Sequence, residues 1–139
     1  MTECSNVPEG FEPMSRSSPF ADLIGPIYQK RKGRQLLIAI RAEQKHCNMR
    51  GHVHGGVIGT LADIAMGYST AFSTEPPTPM VTVNLSIDFL GTVDQGDWIE
   101  IHTDVQKVGR SLAFASCHVH VGSARIARAS AVFSIPSKA

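Results

Sequence analysis

The sequence is poor in charge, in cysteine and in long apolar runs, and each shortage excludes something. Charged residues fill 18% of its 139 positions, below the quarter or so usual for a globular domain. Part of the surface is therefore expected to lie against other subunits. Lys and Arg number 13 and Asp and Glu 12, a net charge of +1, which excludes the basic surface of a general nucleic-acid binder. No apolar run approaches the ~20 residues of a membrane-spanning helix, so no membrane partner is expected. The three cysteines, Cys4, Cys47 and Cys117, are odd in number and have no C-x-x-C spacing. That argues against a disulfide framework or a zinc finger and for free thiols in a reducing, cytoplasmic setting. The start of the chain, "MTECSNVPEGFEPMSRSSPF", lacks the basic-then-apolar pattern of a secretory leader.

What is present fits one domain with a real core. Residues 1–17 are rich in Ser and Pro and read as a flexible N-terminal arm; residues 18–139 read as a single domain, with no internal repeat. "SPFADLIG" at 18–25 predicts a short helix, with Ser18 as its cap and Pro19 in its first position. Residues 27–43 predict a hairpin turning at Lys32-Gly33, and residues 44–54 a polar loop. A helix is expected from Gly55 to Phe72, ended by "STEPPTP". In "VTVNLSIDF" the alternation places Val81, Val83, Leu85, Ile87 and Phe89 on one face and Thr82, Asn84, Ser86 and Asp88 on the other. Three more strands follow at 98–108, 111–121 and 124–135. The plan is α+β: a curved antiparallel sheet with one long helix to cover.

That helix carries a single charged residue, Asp63. At 100° per residue, Leu61, Ile64, Ala65, Tyr68, Ala71 and Phe72 share one arc, the expected sheet face. Asp63 falls opposite, among Gly56, Gly59, Met66, Gly67 and Thr70. A solvated face would show Lys and Glu at i, i+4 spacing. Each glycine costs a helix about 1 kcal/mol relative to alanine, so three of them call for a close approach by another backbone or a ligand. At the helix start, Gly55 and Gly56 present bare N–H groups at the positive end of the helix dipole, which suits an anion or a developing oxyanion. Gly55 and Asp63, eight residues apart, are separated by about 12 Å along the axis. A reacting atom must lie about 3 Å from both oxyanion donor and base, which one helix cannot provide. Two copies packed antiparallel about a two-fold axis can, crossing near Gly59. A homodimer with two composite sites, or a homotetramer as a dimer of dimers, is expected.

The stretch "NMRGHVHGGVIGTLAD", from Asn48 to Asp63, resembles the signature of hotdog-fold acyl-CoA thioesterases of the phenylacetate-degradation (PaaI-like) type. The resemblance extends from about Pro19 to Phe133 and includes "VTVNLSIDFL", "VGRS" and "ARIARASAVF". It implies a hotdog fold, sites between paired subunits and hydrolysis of an acyl-CoA to a carboxylic acid and CoA. It also implies roles: Asp63 as the carboxylate, Gly55 as oxyanion donor, Asn48 beside it, and Thr82 near the attacking water. The match departs at Arg50 and His52, where relatives often carry an apolar residue and a small one, which bears on the acyl preference. His54 is expected to fix the loop or touch the thioester. Gly56, Arg50, Gly109 and Arg110 are the expected substrate contacts, Arg110 facing a CoA phosphate.

These residue types suit the chemistry. Gly55 and Asn48 can meet the charge that builds on the thioester oxygen, where losing one donor typically costs about 10²–10³ in rate. Asp63 can take a proton from water held by Thr82, or attack directly through an anhydride. His52-x-His54 and His118-x-His120 offer no third ligand at a clear spacing, so neither metal nor cofactor is expected. Two alternatives stay open. A hydratase or dehydratase on the same fold would need a histidine paired with an acid, and His54 is the candidate. A non-catalytic acyl-CoA-binding protein would have no need of Asp63.

Overall fold

The structure, a computed structural model, describes residues 6–137. Its elements run β1 (Glu12–Pro13), α1 (Pro19–Ile24), β2 (Ile27–Lys32), β3 (Gln35–Arg41), α2 (Gly55–Ala71), β4 (Val81–Phe89), β5 (Trp98–Val108), β6 (Leu112–Val121) and β7 (Ala124–Ser134). The seven strands form one antiparallel sheet in the order β1-β2-β3-β5-β6-β7-β4. The strand that follows α2 in sequence therefore lies at the far edge, and α2 crosses the sheet to reach it. One long helix wrapped by an antiparallel sheet is a hotdog fold, as the resemblance implies. Among the described residues no helix is long and apolar enough to cross a membrane.

Local chemistry accounts for the ends of these elements. Ser18 caps α1, its hydroxyl accepting from the Ala21 N–H at 3.2 Å, with Pro19 directly after it. The β2–β3 turn passes through Gly33 at φ +64°, a left-handed conformation that favours glycine. The polar loop after β3 contains a 3-10 turn, Gln44–His46, closed by reciprocal bonds between Glu43 and His46. Part of the segment expected as an arm lies on the sheet edge. Glu12–Pro13 pairs with β2, and Phe11 meets the Trp98 ring edge-on at 5.2 Å. Trp98 also packs with Tyr28 and takes the Arg41 guanidinium over its face, so it is edge packing. Cys4 lies outside the described residues.

The core forms between α2 and the inner faces of β3, β5, β6 and β7. Ile38, Ile40, Ile99, Ile101, Val119 and Phe133 are all buried there. The face that α2 presents differs from the expected one. Ile58, Leu61, Ala62, Ala65, Met66, Ser69 and Thr70 are its buried residues. This arc lies roughly 100° round from the predicted arc, with only Leu61 and Ala65 common to both. Ile64, Tyr68 and Ala71, predicted to face the sheet, are only partly buried, whereas Met66 and Thr70, predicted to accompany Asp63, are fully buried. Hydrophobicity misled because both sides of this helix are apolar, so composition alone does not say which one the sheet takes. Within one chain the remaining side is partly open: Gly56 is exposed, and Thr60, Asp63 and Gly67 are only partly buried.

The assignment is testable by truncation. Met66→Ala removes a side chain with no exposure and is expected to lower stability by about 2–5 kcal/mol. Ile64→Ala, on the part-buried side, is expected to lower it by clearly less. Urea unfolding of both variants at one protein concentration ranks them, and the opposite order would restore the face read from sequence.

Candidate active site

The loop between β3 and α2 is held at several points. His46 is buried; its Nδ1 accepts from the Glu43 N–H at 2.9 Å, so its Nε2 donates to the Ile24 carbonyl at 2.6 Å. Its own carbonyl accepts from the His54 N–H at 2.9 Å. One histidine thus joins the end of α1 to the start of α2, and composition gave no signal for it. Asn48 opens a tight turn that closes through Gly51 at φ +82°. Its side-chain Oδ1 accepts from the N–H groups of Arg50 (2.9 Å) and His52 (3.2 Å). The Asn48 oxygen is therefore engaged in the loop, and its amide NH₂ is the group left to act outward. His52 donates from Nδ1 to Asp94 at 2.7 Å, and these two residues also form a β-bridge. Asp94 sits between β4 and β5, so the pair pins the Asn48 turn to the next connection in the sheet.

The start of α2 follows directly. His54 is its N-cap, with Nδ1 accepting from the Gly56 N–H at 3.0 Å. The Gly56 N–H is thereby taken. Among the described residues the Gly55 N–H meets no acceptor, as helix geometry requires of a first-turn donor without a cap. Of the two glycines expected to offer bare donors, Gly55 does so and Gly56 does not. A Cβ at Gly55 would come within 3.1 Å of the Phe89 ring, so the position is also closely packed.

Asp63 lies eight residues further along α2, half-buried, and accepts from the Thr82 hydroxyl at 2.7 Å. None of the ion pairs among the described residues involves it. The plain alternation of β4 would put Thr82 on the outer face of the sheet, away from the helix. The strand avoids this with a bulge. Thr82 pairs with Phe133 and Asn84 with Val132, leaving Val83 as an extra residue. Beyond the bulge Leu85, Ile87 and Phe89 stand opposite Ala131, Ala129 and Ala127 on the inner face, and Asp88 opposite Arg128 on the outer. The bulge turns Thr82 inward with the apolar residues, a common use of bulges beside functional groups.

The other candidates are distributed as follows. Arg50 is exposed in the Asn48 turn. Gly109 donates to the Leu112 carbonyl at 2.8 Å, and a Cβ there would approach that oxygen to 3.0 Å, so a larger residue would crowd the β5–β6 turn. Arg110, exposed at the same turn, lies at the sheet end nearest Thr82, because Thr82, Phe133 and Ala113 share one row. His118 and His120 face outward, away from α2. Burial foremost, with Arg125 and the neighbouring histidines, holds both imidazoles below their usual range. No group of three or more His, Cys, Asp or Glu converges on a metal-sized point among the described residues. Burial pushes the Cys117 thiol up to about 12, and it packs in the core.

Comparison with known proteins adds to this geometry. The thioesterase superfamily profile matches residues 50–127. A Pseudomonas aeruginosa protein provisionally named an esterase is 53% identical over 132 residues, 94% of this chain and 98% of that one. Mouse acyl-coenzyme A thioesterase 13 is 33% identical over 82 residues, 59% of this chain and 58% of its own. The crystal structure of zebrafish thioesterase superfamily member 2 superposes with a TM-score of 0.78 at 25% identity, over 86% of this chain and 88% of that one.

The His52–Asp94 pair yields a prediction about the loop. Both side chains are substantially exposed, so Asp94→Ala should lower global stability by less than about 1 kcal/mol. The Asn48 N–H, which donates to the His52 carbonyl at 2.7 Å, should nonetheless exchange with solvent several times faster. Hydrogen exchange resolved at that amide is the measurement; an unchanged rate would mean that the turn holds itself.

Proposed function

The chain belongs to the thioesterase superfamily and is a thioester hydrolase; on that premise we propose that it cleaves acyl-CoA thioesters, with Asp63 activating water at a site shared by two subunits. The observation that carries the assignment is the Thr82–Asp63 hydrogen bond of 2.7 Å on a partly open face of α2. Thr82 occupies one carboxylate oxygen of Asp63 and leaves the other to accept a proton. Water held there attacks the thioester carbon and passes its proton to Asp63. The oxyanion that forms is met by the Gly55 N–H and the Asn48 amide. Collapse breaks the C–S bond, the proton goes to the sulfur, and the products are a carboxylic acid and CoA thiol. Direct attack by Asp63, forming an anhydride that water then opens, gives the same products.

Two features support the shared site. Along one helix Gly55 and Asp63 are about 12 Å apart, too far to serve one carbonyl group. The edge strand β4 has every residue but Ile87 exposed, including Val81, Val83, Leu85 and Phe89. An exposed apolar edge is a template for pairing with another chain, and a second copy placed there would bring its Gly55 toward this Asp63. The name of the mouse relative, an acyl-coenzyme A thioesterase, supports CoA esters as the substrate class. Arg110, at the sheet end near Thr82, is the cation we assign to a CoA phosphate. The geometry disfavours His54 as the base of the hydratase alternative. With Nδ1 accepting from Gly56, neutral His54 carries its proton on Nε2 and offers a donor, not a base. No hydrogen bond among the described residues pairs it with a carboxylate.

Asp63→Asn is expected to reduce turnover of acyl-CoA substrates by at least about 10²-fold while leaving folding and substrate binding intact. Thiol release by the purified variant at the wild-type rate would falsify the base or nucleophile role.

The shared site has its own test, for which Gly55→Pro is suited. Residue 55 is the first helical position, where proline is well tolerated. His54 before it already has φ −62° and ψ 135°, which a following proline accepts. The substitution removes the donor N–H at the expense of a shift of the Phe89 ring. Each variant alone should be nearly inactive. Co-refolded with Asp63→Asn, it should restore up to about a quarter of wild-type activity, since a mixed dimer has one site free of both lesions. If both variants fold and mix, yet activity stays at background, the site lies within one chain.

A further inference from the structure

A cavity of about 390 Å³ lies beside α2, between it and the segment that contains α1. Its lining on α2 is Ile64 and Tyr68, the first and fifth residues after Asp63. At 1.5 Å per residue it extends about 7 Å beyond Asp63 along the helix axis. Met14, Ala21 and Ile27 supply further apolar wall. Most of the polar groups, among them Arg16, Ser17 and Asp22, come from the arm and α1; α2 adds the hydroxyl of Tyr68. Ser17 hydrogen-bonds Asp22, and the Arg16 guanidinium lies over the Phe72 ring at 5.1 Å.

The roof is lightly packed and yet tied to the catalytic loop. Helix α1 has no buried residue; Phe20 is 56% and Leu23 73% exposed. Few apolar contacts therefore oppose its displacement. Its far end is fixed, because the Ile24 carbonyl accepts from buried His46, and the Asn48 turn follows two residues after His46. A roof free along its length and anchored at the loop suits a compartment that opens to admit an apolar group next to the reacting carbon.

Resting on the thioesterase reading above, we propose that this cavity receives the acyl chain of the substrate and that its depth sets the preferred length. At about 30 Å³ for each water-sized group, it holds roughly a dozen heavy atoms, so the preferred substrates are medium-chain acyl thioesters up to about twelve carbons. Flexible Met14 and the branched aliphatic walls suit an unbranched chain.

The test measures kcat/KM for wild type, Ala21→Leu and Ile64→Ala across straight-chain acyl-CoAs from acetyl to palmitoyl. Wild type should be fastest on medium chains. Ala21→Leu fills the cavity from the roof and should lower the dodecanoyl-to-butanoyl ratio at least tenfold, about what one or two misfitted methylenes cause. Ile64→Ala deepens the floor and should move the optimum to longer chains. Should Ala21→Leu fail to fold, the direction of the Ile64→Ala shift decides. Hydrolysis with length profiles parallel to wild type in the folded variants overturns the cavity assignment and leaves the thioesterase reading standing. No thiol release by wild type from any of these substrates overturns both.

Discussion

A single helix laid against a curved sheet can bury only part of its circumference. The sheet of this protein takes the arc from Leu61 to Thr70 that includes Met66 and Ala65, and it leaves the side carrying Gly56, Thr60 and Asp63 partly open within the chain. Most of the functional arrangement depends on that constraint. A carboxylate on the covered side would be walled in by aliphatic residues, at a desolvation cost of several kcal/mol without a partner. On the partly open side Asp63 accepts from Thr82 with one oxygen, and in the proposed mechanism the other takes the proton. The same open side has glycines where another helix can approach closely, and a Cβ at Gly59 would meet nothing within 4 Å. On the proposed reading, the fold presents its carboxylate on the side that a second copy would cover.

The histidines near the site bear on why the proposed chemistry is assigned to a carboxylate. His46, His52 and His54 all lie within nine residues of one another, and each has a ring nitrogen already committed. His46 is spent on Glu43 and Ile24, His52 on Asp94, and His54 on the Gly56 N–H. A histidine whose Nδ1 accepts a backbone N–H is fixed in one tautomer and serves as a donor in its neutral form. The loop thus uses imidazole as a rigid two-ended connector, which places the Asn48 amide and the Gly55 N–H. Asp63, on the helix that follows, is the group we propose to take the proton, with one oxygen held by Thr82.

Much of the architecture is legible in the sequence because local signals and the global plan agree. The Ser18-Pro19 cap, the Lys32-Gly33 turn, the proline-rich end of the helix and the three regular strands after it each have short-range causes, and each appears where expected. The covered side of α2 is not legible. With apolar residues at Ile64 and Tyr68 as well as at Leu61 and Met66, the helix has two plausible buried faces, and only the sheet's position chooses between them. His46 is equally silent, since its partners are backbone groups of residues 24 and 43 and no spacing encodes them. Asp63 stands out in the sequence as a lone charge among glycines, and Gly55 because it opens a helix. That Gly56 is capped, and Gly55 alone is free, depends on one histidine rotamer.

Thr82 reaches Asp63 although two readings of its strand contradict one another. Period-two alternation puts it on the face away from the helix, whereas the resemblance requires it beside Asp63. Both hold locally, and the bulge at Val83 reconciles them by adding one residue between Thr82 and Asn84. Because a strand's side chains alternate strictly, one extra residue exchanges the faces of everything on one side of it. The stretch from Leu85 to Phe89 can then keep its apolar residues on the inner face, while the hydroxyl of Thr82 also turns inward. A strand without the bulge would have to choose between packing Leu85, Ile87 and Phe89 toward the helix and delivering Thr82 to Asp63. The bulge also lies in the edge strand, where only β7 constrains the backbone and an irregularity disturbs one ladder instead of two. Delivering a hydroxyl to the helix and offering a free edge to a second copy are therefore linked demands, and β4 is the strand of this sheet that meets both.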